Sequence, residues 1–282
     1  MEYVTLNNGV KMPKLGYGVF QMNDAAECED CVAEAIASGY RLIDTAAAYY
    51  NEEAVGRGIR KSGVKREDIF LTTKLWIQDA SYDAAKRGFD DSLAKLQTDY
   101  LDLYLVHHPF GDYYGAWRAL TELYKEGRIR AIGVCNFDRA RLTDFLYHVD
   151  VRPAVNQIEV HPFHQQKEMK VMADQEGIQL EAWAPFAEGM NNIFQQENLV
   201  KIGKKYGKSP AQVILRWNME RGIVAIPKSV HKNRMEENFA VWDFKLDTED
   251  MADIARLDGQ HSLADLNNPE LVHALHKLKV HD

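Results

Sequence analysis

The chain has 282 residues, a formal net charge of −8 and an apolar fraction of 46 %, close to that of an average globular protein. The negative charge, with no cluster of Lys and Arg, argues against nucleic acid or an anionic membrane as the main partner. Three cysteines do not suit a disulfide framework, and the first residues lack a secretory-signal pattern, so we expect a cytoplasmic protein without a membrane span.

The first predicted element is a β-hairpin, because Asn8-Gly9 separates two short apolar runs. Beyond it, apolar runs of strand length alternate with stretches of helical periodicity. This alternation predicts an α/β fold with a parallel sheet. The predicted strands are 15–19, 41–44, 69–74, 101–107, 131–134, 154–159, 179–182 and 223–226, and the predicted helices include 81–96, 115–126, 139–147, 167–176, 210–220 and 248–257.

Eight strand–helix units fit either an open doubly wound sheet or a closed barrel. An open dinucleotide-binding sheet would be expected to carry Gly-x-Gly-x-x-Gly after its first strand. Here Gly16-Tyr17-Gly18 is followed by Gln21 where the third glycine would stand. The pattern therefore favours a (β/α)8 TIM barrel, which typically needs about 250 residues. No low-complexity linker divides the chain, so we expect one domain over residues 1–282, with the hairpin covering one end of the barrel.

Polar residues follow several predicted strands at their carboxyl ends, where a TIM barrel has its active site. Asp44, Lys74 and His107 end three consecutive strands, and Tyr49 lies five residues beyond Asp44. Because consecutive barrel strands are neighbours, we expect these four side chains to meet. Each residue alone is more often structural than chemical, so the prediction depends on their joint placement.

Such a group suits the reduction of a carbonyl. A carbonyl that accepts a hydride develops negative charge on its oxygen and must receive a proton. The pKa of a free tyrosine, about 10, is too high for an efficient acid, so we expect Lys74 to lower the pKa of Tyr49. We expect Asp44 to keep Lys74 charged, and a neutral His107 to donate a hydrogen bond to the carbonyl oxygen.

Six segments together resemble the aldo-keto reductase family, and within it the prokaryotic branch that includes 2,5-diketo-D-gluconate reductases. The resemblance covers nearly the whole chain and implies Asp44, Tyr49, Lys74 and His107 as the catalytic tetrad, with a hydride from NADPH and no metal. The segments are 44–49 (Asp-Thr-Ala-Ala-Ala-Tyr), 73–76 (Thr-Lys-Leu-Trp), 103–107 (Leu-Tyr-Leu-Val-His), 133–137 (Gly-Val-Cys-Asn-Phe), 155–162 (Val-Asn-Gln-Ile-Glu-Val-His-Pro) and 226–230 (Ile-Pro-Lys-Ser-Val).

The resemblance also implies a site for the nicotinamide end of the cofactor. Asn136 and Gln157 would bind its carboxamide, because an amide side chain can satisfy both a C=O and an NH₂ group. Cys135 stands where the family usually has a serine, and a thiol is a weaker hydrogen-bond donor. Trp183 stands where the family places an aromatic ring that stacks on the nicotinamide.

At the adenosine end, Lys228, Ser229 and Arg234 match the residues that bind the ribose 2′-phosphate. Two cations and a hydroxyl suit a phosphate, and Arg can bind it through two parallel hydrogen bonds. The complete expected set of cofactor-binding residues is Gly18, Val19, Phe20, Cys135, Asn136, Gln157, Trp183, Lys228, Ser229, Val230, Arg234, Glu237 and Asn238.

Five aromatic residues are candidates for the walls of the substrate pocket: Phe20, Tyr50, Trp76, His108 and Phe110. Tyr50 and His108 depart from the glycine and tryptophan common in the family, so the substrate of a named relative does not transfer directly. The segment after Asp258, with His261, Leu263, Leu266 and His273, is expected to fold over the mouth of the barrel, as in relatives.

Cys28 and Cys31 form a Cys-x-x-Cys motif. The two acidic residues between the thiols oppose thiolate formation, which argues against a redox site. We therefore interpret the motif as part of a helix.

The sequence therefore predicts a monomeric, NADPH-dependent reductase of aldehydes and ketones, with sugar-derived compounds and dicarbonyls as candidate substrates. The alternative is an NADPH-binding regulatory subunit that senses redox state with little turnover. The intact tetrad and the lack of a partner-binding extension favour the enzyme.

Overall fold

An antiparallel hairpin opens the fold, as the Asn-Gly signal predicts. In this computed structural model, which describes residues 1–259 and 262–281, strand β1 (Tyr3–Thr5) pairs with β2 (Lys11–Pro13). Gly9 adopts a φ of +86° in the connecting turn, a conformation that favours glycine.

Within the described residues, eight parallel strands follow in one sheet. They are hydrogen-bonded in chain order, each to the next, which is the arrangement of consecutive β-α units. The strands are β3 (Tyr17–Gly18), β4 (Leu42–Asp44), β5 (Phe70–Leu75), β6 (Leu103–Val106), β7 (Ile132–Cys135), β8 (Val155–Glu159), β9 (Gln179–Trp183) and β10 (Val224–Ala225).

The sheet closes on itself between its first and last strands. Leu15 forms a parallel bridge with Ala225, and the amide of Gly16 donates a 2.9 Å hydrogen bond to the Ala225 carbonyl. This closure confirms the predicted TIM barrel and excludes the open doubly wound sheet. Several predicted strands were too long, because the apolar runs continue as isolated bridges at Leu15 and Leu101 rather than as regular pairing.

Helices connect the strands and surround the barrel. The predicted starts and ends at 139–147, 167–176 and 210–220 are confirmed, and Ser209 caps the last of these as expected. The helices are α1 (Ala25–Ala37), α2 (Glu52–Lys61), α3 (Tyr82–Leu96), α4 (Tyr113–Lys125), α5 (Arg139–Tyr147), α6 (Lys167–Glu176), α7 (Glu197–Tyr206), α8 (Pro210–Glu220), α9 (Lys232–Phe239), α10 (Thr248–Ala255) and α11 (Pro269–Lys277).

Helix α2 was not predicted, because two glycines interrupt its short apolar pattern. A Cβ at Gly56 would lie 2.4 Å from the Leu96 carbonyl oxygen, so the glycine allows α2 and α3 to pack closely. In the described ranges, no helix is long and apolar enough to cross a membrane.

The three cysteines are buried and form no disulfide. Cys28 and Cys31 lie on α1, and burial raises the pKa of Cys28 to about 12. The motif is part of a helix, as the sequence predicts. The Cys28 thiol is protonated at neutral pH, as expected for a cysteine that is not a redox nucleophile.

The hairpin covers the amino-terminal end of the barrel. Asn7 Nδ2 donates to the Pro153 carbonyl and Asn8 Nδ2 donates to the Arg130 carbonyl, both just before barrel strands. Leu6 and Met12 pack in a buried cluster with apolar residues of the strands. We therefore expect the active-site side chains at the opposite, carboxyl-terminal end of the barrel.

Asp102 strengthens the same closed end. Its carboxylate is fully buried and accepts hydrogen bonds from Arg66 Nη1 at 2.8 Å, Arg130 Nη1 at 2.6 Å and the Leu71 amide at 3.0 Å. Removing the charge of the buried Asp102 weakens all three hydrogen bonds, while Arg66 and Arg130 keep part of their contact with solvent.

We therefore expect Asp102→Asn to lower the free energy of unfolding by about 2–4 kcal/mol, because two guanidinium groups lose their buried counter-ion. Urea unfolding measures this change. Asp90→Asn, which breaks the exposed pair with Arg128, is the matched control and should have a far smaller effect. Equal losses for the two variants would contradict this role of Asp102.

Candidate active site

The four predicted catalytic side chains meet at the carboxyl end of the barrel. Asp44 is the last residue of β4, Lys74 lies on β5, His107 follows β6, and Tyr49 lies in a short 3₁₀ turn after β4. Lys74 Nζ donates to Asp44 Oδ1 at 2.5 Å and lies 3.4 Å from the Tyr49 hydroxyl. The Tyr49 and His107 ring centres are 5.7 Å apart.

Lys74 is fully buried and carries its charge in the interior. Its ammonium also donates to the Thr45 carbonyl at 2.8 Å. Although burial alone would lower the pKa of Lys74, the charge of Asp44 and the hydrogen bond to it hold it above its ordinary value. Burial raises the pKa of Asp44, and Lys74 opposes that rise. The two groups form a buried ion pair at neutral pH.

Two opposing effects set the pKa of Tyr49. Burial raises the pKa of Tyr49 to about 12, and the opposing effect of Lys74 is smaller. Lys74 lowers this pKa, as the sequence predicts, but burial outweighs its effect and the pKa stays above its ordinary value. The phenol is protonated at neutral pH, and Lys74 limits how costly its ionisation becomes.

His107 and His108 form a stacked pair beside Tyr49, with ring centres 4.9 Å apart. Burial lowers the pKa of His107 well below its ordinary value, and it lowers that of His108 to about 4. His107 Nδ1 is buried and has no hydrogen-bond partner among the described residues. Both rings are therefore neutral near pH 7, as the role expected of His107 requires.

Asn136, predicted for the nicotinamide end, is engaged by its protein neighbours. Its Oδ1 accepts a 2.9 Å hydrogen bond from Trp183 Nε1, and its Nδ2 donates to the His107 carbonyl at 3.1 Å. Its backbone is left-handed, with a φ of 62°, a conformation that asparagine tolerates. The bond fixes the edge of the Trp183 ring at the barrel rim.

Gln157 lies on the inner side of the same region and is also engaged. Its Nε2 donates to Asp44 Oδ2 and to Glu181 Oε2, both at 2.8 Å. The side-chain NH₂ has only two hydrogens, so only the amide oxygen remains for a ligand. In this arrangement the Gln157 oxygen is the atom that could meet the carboxamide, as an acceptor for its NH₂ group. Cys135 is buried beside Gln157 in the strand register.

The residues predicted for the 2′-phosphate lie after β10 and at the start of α9. Lys228 and Arg234 are exposed and, within the part of the chain that the structure describes, neither side chain forms an ion pair. The backbone is close-packed nearby, since a Cβ at Gly18 would lie 3.1 Å from the Ile226 carbonyl oxygen. A side chain at position 18 would therefore require the neighbouring backbone to shift.

Other members of the predicted cofactor set have their own partners. Ser229 is buried, and its Oγ accepts from the His231 amide at 3.1 Å. Glu237 accepts a hydrogen bond from Ser209, so it is partly committed to the cap of α8. The remaining positions are Val19, buried after β3; Phe20, half exposed; Val230, half-buried; and Asn238, buried on α9.

Comparison with known proteins decides the family. The model of the aldo/keto reductase family matches residues 6–258. The chain belongs to this family. It is therefore an oxidoreductase, and the resemblance found in the sequence is confirmed.

Named relatives of this aldo/keto reductase span nearly its whole length. It is 49 % identical to glyoxal reductase of Bacillus subtilis over 258 residues, which cover 91 % of this chain and 93 % of that protein. It is 45 % identical to methylglyoxal reductase DkgA of Escherichia coli, with 90 % and 93 % covered.

Solved structures of aldo-keto reductases also match the chain over nearly its whole length. The aldo/keto reductase from Brucella melitensis superimposes with a TM-score of 0.87 and 45 % identity, covering 91 % of this chain and 99 % of that one. An aldo-keto reductase of Bombyx mori, crystallised with NADP, superimposes with a TM-score of 0.90 and 33 % identity, covering 94 % and 95 %.

The predicted pocket aromatics surround the tetrad of this aldo/keto reductase. The Phe20 ring lies 4.9 Å from that of Tyr49, and the Trp76 ring lies 5.3 Å from that of His107. Phe110 lies farther out, with its ring centre 6.0 Å from that of His108.

The carboxyl-terminal segment crosses the mouth of the barrel beside these aromatics. Tyr50 donates from its hydroxyl to the Lys279 carbonyl at 2.6 Å, and Trp76 Nε1 donates to the Leu278 carbonyl at 2.9 Å. At its other end, the Leu263 amide donates to Glu159. Leu263 and Leu266 are half-buried and His273 is exposed, whereas His261 lies outside the described residues.

Sequence reasoning missed Glu159 and Glu181. Glu159 holds the carboxyl-terminal segment, and Glu181 binds Gln157 inside the barrel. A charged residue in an otherwise apolar strand was the available signal for Glu181. Among residues 1–259 and 262–281, no group of His, Cys, Asp and Glu side chains is arranged to hold a metal ion.

Proposed function

We propose that the chain catalyses the NADPH-dependent reduction of small 1,2-dicarbonyl compounds, such as glyoxal and methylglyoxal, with Tyr49 as the proton donor. The observation that carries the proposal is the fully buried Lys74, 2.5 Å from Asp44 and 3.4 Å from the Tyr49 hydroxyl. The names of the relatives, glyoxal reductase and methylglyoxal reductase, supply the substrate class.

Bound NADPH supplies the hydride that the carbonyl carbon receives. The exposed cations Lys228 and Arg234, which form no ion pair within the described residues, suit the 2′-phosphate of this cofactor. The proposal also keeps the other predicted cofactor contacts, among them Trp183, Asn136, Gln157 and Ser229. The cofactor found with the Bombyx mori neighbour is of the same kind.

Side chains of the protein donate the proton and stabilise the charge that remains on the donor. As negative charge develops on the carbonyl oxygen, the Tyr49 hydroxyl passes its proton to that oxygen. Lys74 stabilises the phenolate that remains, because an ammonium at hydrogen-bond distance favours the charged form. Neutral His107 donates a hydrogen bond to the carbonyl oxygen and orients it, so the proton and the hydrogen bond converge on one atom.

The chemistry of the donor favours activated carbonyls. With its pKa at about 12, Tyr49 is a weak acid, so a carbonyl that readily accepts a hydride is the better match. A second, adjacent carbonyl withdraws electrons and makes the reacting carbon more electrophilic. The aromatic walls Phe20, Trp76 and His108, together with the segment that crosses the mouth, favour a small substrate of this kind.

The enzyme is preferred to the regulatory subunit, because the named relatives are reductases and the four tetrad side chains are assembled. A monomeric state and a cytoplasmic location remain part of the proposal. The three unbridged, buried cysteines are consistent with a reducing compartment.

We expect Tyr49→Phe to lower kcat/KM for methylglyoxal by about 10²–10⁴-fold, because it removes the proton donor and keeps the ring. NADPH binding, followed by fluorescence titration, should be preserved. Tyr104→Phe is the matched control, since Tyr104 is a buried tyrosine whose hydroxyl has no partner in the described ranges. A Tyr49→Phe enzyme that kept more than about a tenth of wild-type kcat/KM would mean that another group delivers the proton.

We expect Arg234→Ala to weaken NADPH binding by about ten- to a hundred-fold and NADH binding far less, because only NADPH carries the 2′-phosphate. Dissociation constants for both cofactors measure this difference. Lys232→Ala on the same helix is the control, since Lys232 already pairs with Glu34. Equal losses for both cofactors would remove Arg234 from the phosphate site.

A further inference from the structure

Glu181 is a fully buried carboxylate inside the barrel that the proposed reaction does not use. It lies on β9, two residues before Trp183. Its Oε2 accepts a 2.8 Å hydrogen bond from Gln157 Nε2, and its Oε1 has no partner among the described residues. Burying a carboxyl group with one unpartnered oxygen is costly.

The Gln157 amide joins Glu181 to Asp44. Gln157 and Glu181 are register partners on β8 and β9, and the second hydrogen of Gln157 Nε2 is donated to Asp44 Oδ2 at 2.8 Å. The ionised Asp44 turns the NH₂ of this amide toward itself, because a carbonyl oxygen there would face an acceptor oxygen, and Glu181 accepts the other hydrogen. Glu181 and Asp44 together therefore fix which end of the amide a ligand can reach.

The contacts continue from Asp44 to the proton donor. Asp44 holds Lys74 through its other oxygen, and Lys74 lies 3.4 Å from the Tyr49 hydroxyl. Glu181 is thus connected to Tyr49 through three intervening side chains. Any change in the charge of Glu181 acts on the same ammonium that stabilises the Tyr49 phenolate.

The surroundings of Glu181 contain one other carboxyl group, one cation and one thiol. Asp44 faces it from β4, Lys74 from β5 and Cys135 from β7, while its neighbour on β10 is the apolar Val224. Asp44 contacts the cation directly and Glu181 does not, so Glu181 is the group that retains its proton to higher pH. Burial and the charge of Asp44 raise the pKa of Glu181 to about 8.

We propose that Glu181 is a positioning residue for carbonyl reduction: through Gln157 it holds Asp44 in place, and when it loses its proton it makes Tyr49 a weaker proton donor. The added negative charge offsets part of the charge of Lys74, which otherwise stabilises the phenolate. The inference rests on the proposed function of Tyr49.

The neighbouring groups of the site ionise outside this pH range. Burial lowers the pKa of His107 well below its ordinary value and that of His108 to about 4. Burial raises the pKa of Tyr49 to about 12 and that of Cys135 well above its ordinary value. None of these four groups ionises near pH 8, whereas burial also raises the pKa of Asp44, so the comparison with Glu181→Gln assigns the change in turnover.

The experiment measures kcat for methylglyoxal from about pH 6.5 to 9.5 at saturating NADPH, for the wild type and Glu181→Gln. The variant keeps an oxygen that can accept from Gln157 but cannot ionise. Wild-type kcat is expected to fall by about three- to tenfold as the pH rises through about 8, with KM nearly constant. Glu181→Gln is expected to lack this fall.

Glu52→Gln is the matched control. Glu52 is another buried glutamate, and it accepts from the Thr73 hydroxyl on the outer side of the sheet. This variant should retain the wild-type fall. Circular dichroism and thermal unfolding establish that each variant is folded.

Two results would overturn the role of Glu181: the same fall in wild type and Glu181→Gln, or a wild-type kcat that does not change between about pH 7 and 9. The second result needs no variant, so it decides the matter even if Glu181→Gln does not fold. Both leave the proposed function standing. A chain that reduces no dicarbonyl at all rejects the proposed function and this inference together.

Discussion

A lysine ammonium without solvent exposure is the constraint on which the rest of the site depends. Removing Lys74 from water is costly unless an anion and further acceptors lie within hydrogen-bond reach. Asp44 and the Thr45 carbonyl provide them, and both come from the end of the neighbouring strand β4. The register between β4 and β5 therefore determines whether the charge can exist at all, and with it the ability of Tyr49 to release a proton.

The two ends of the barrel have different roles: one contributes to stability and the other carries the reactive side chains. At the amino-terminal end, the hairpin and the charge network of Asp102 close the core. At the carboxyl-terminal end, strands stop at charged residues and short turns, and the segment with Leu278 and Lys279 crosses the opening. Substitutions at the first end are expected to act on folding, and those at the second on reaction and specificity.

The fold and the positions of the tetrad were accessible from the sequence because both follow from local pattern. Alternating apolar runs define β-α units, and polar residues at consecutive strand ends must converge once the barrel closes. The pKa of Tyr49 was not accessible, because it depends on burial by the whole assembled site. The contacts of Tyr50 and Trp76 with the last segment were missed for a different reason: their partners are backbone carbonyls, which leave no signal in residue identity.

The central claim is that Lys74 and Tyr49 act as one proton-donating unit. The most direct measurement is a double-mutant cycle on kcat/KM for methylglyoxal with Lys74→Met, Tyr49→Phe and the combined variant. If the two residues act together, the combined variant should lose little more than the worse of the single variants, because the first substitution already disables the unit. A combined loss equal to the product of the two single losses would show that the residues act independently and would contradict the account.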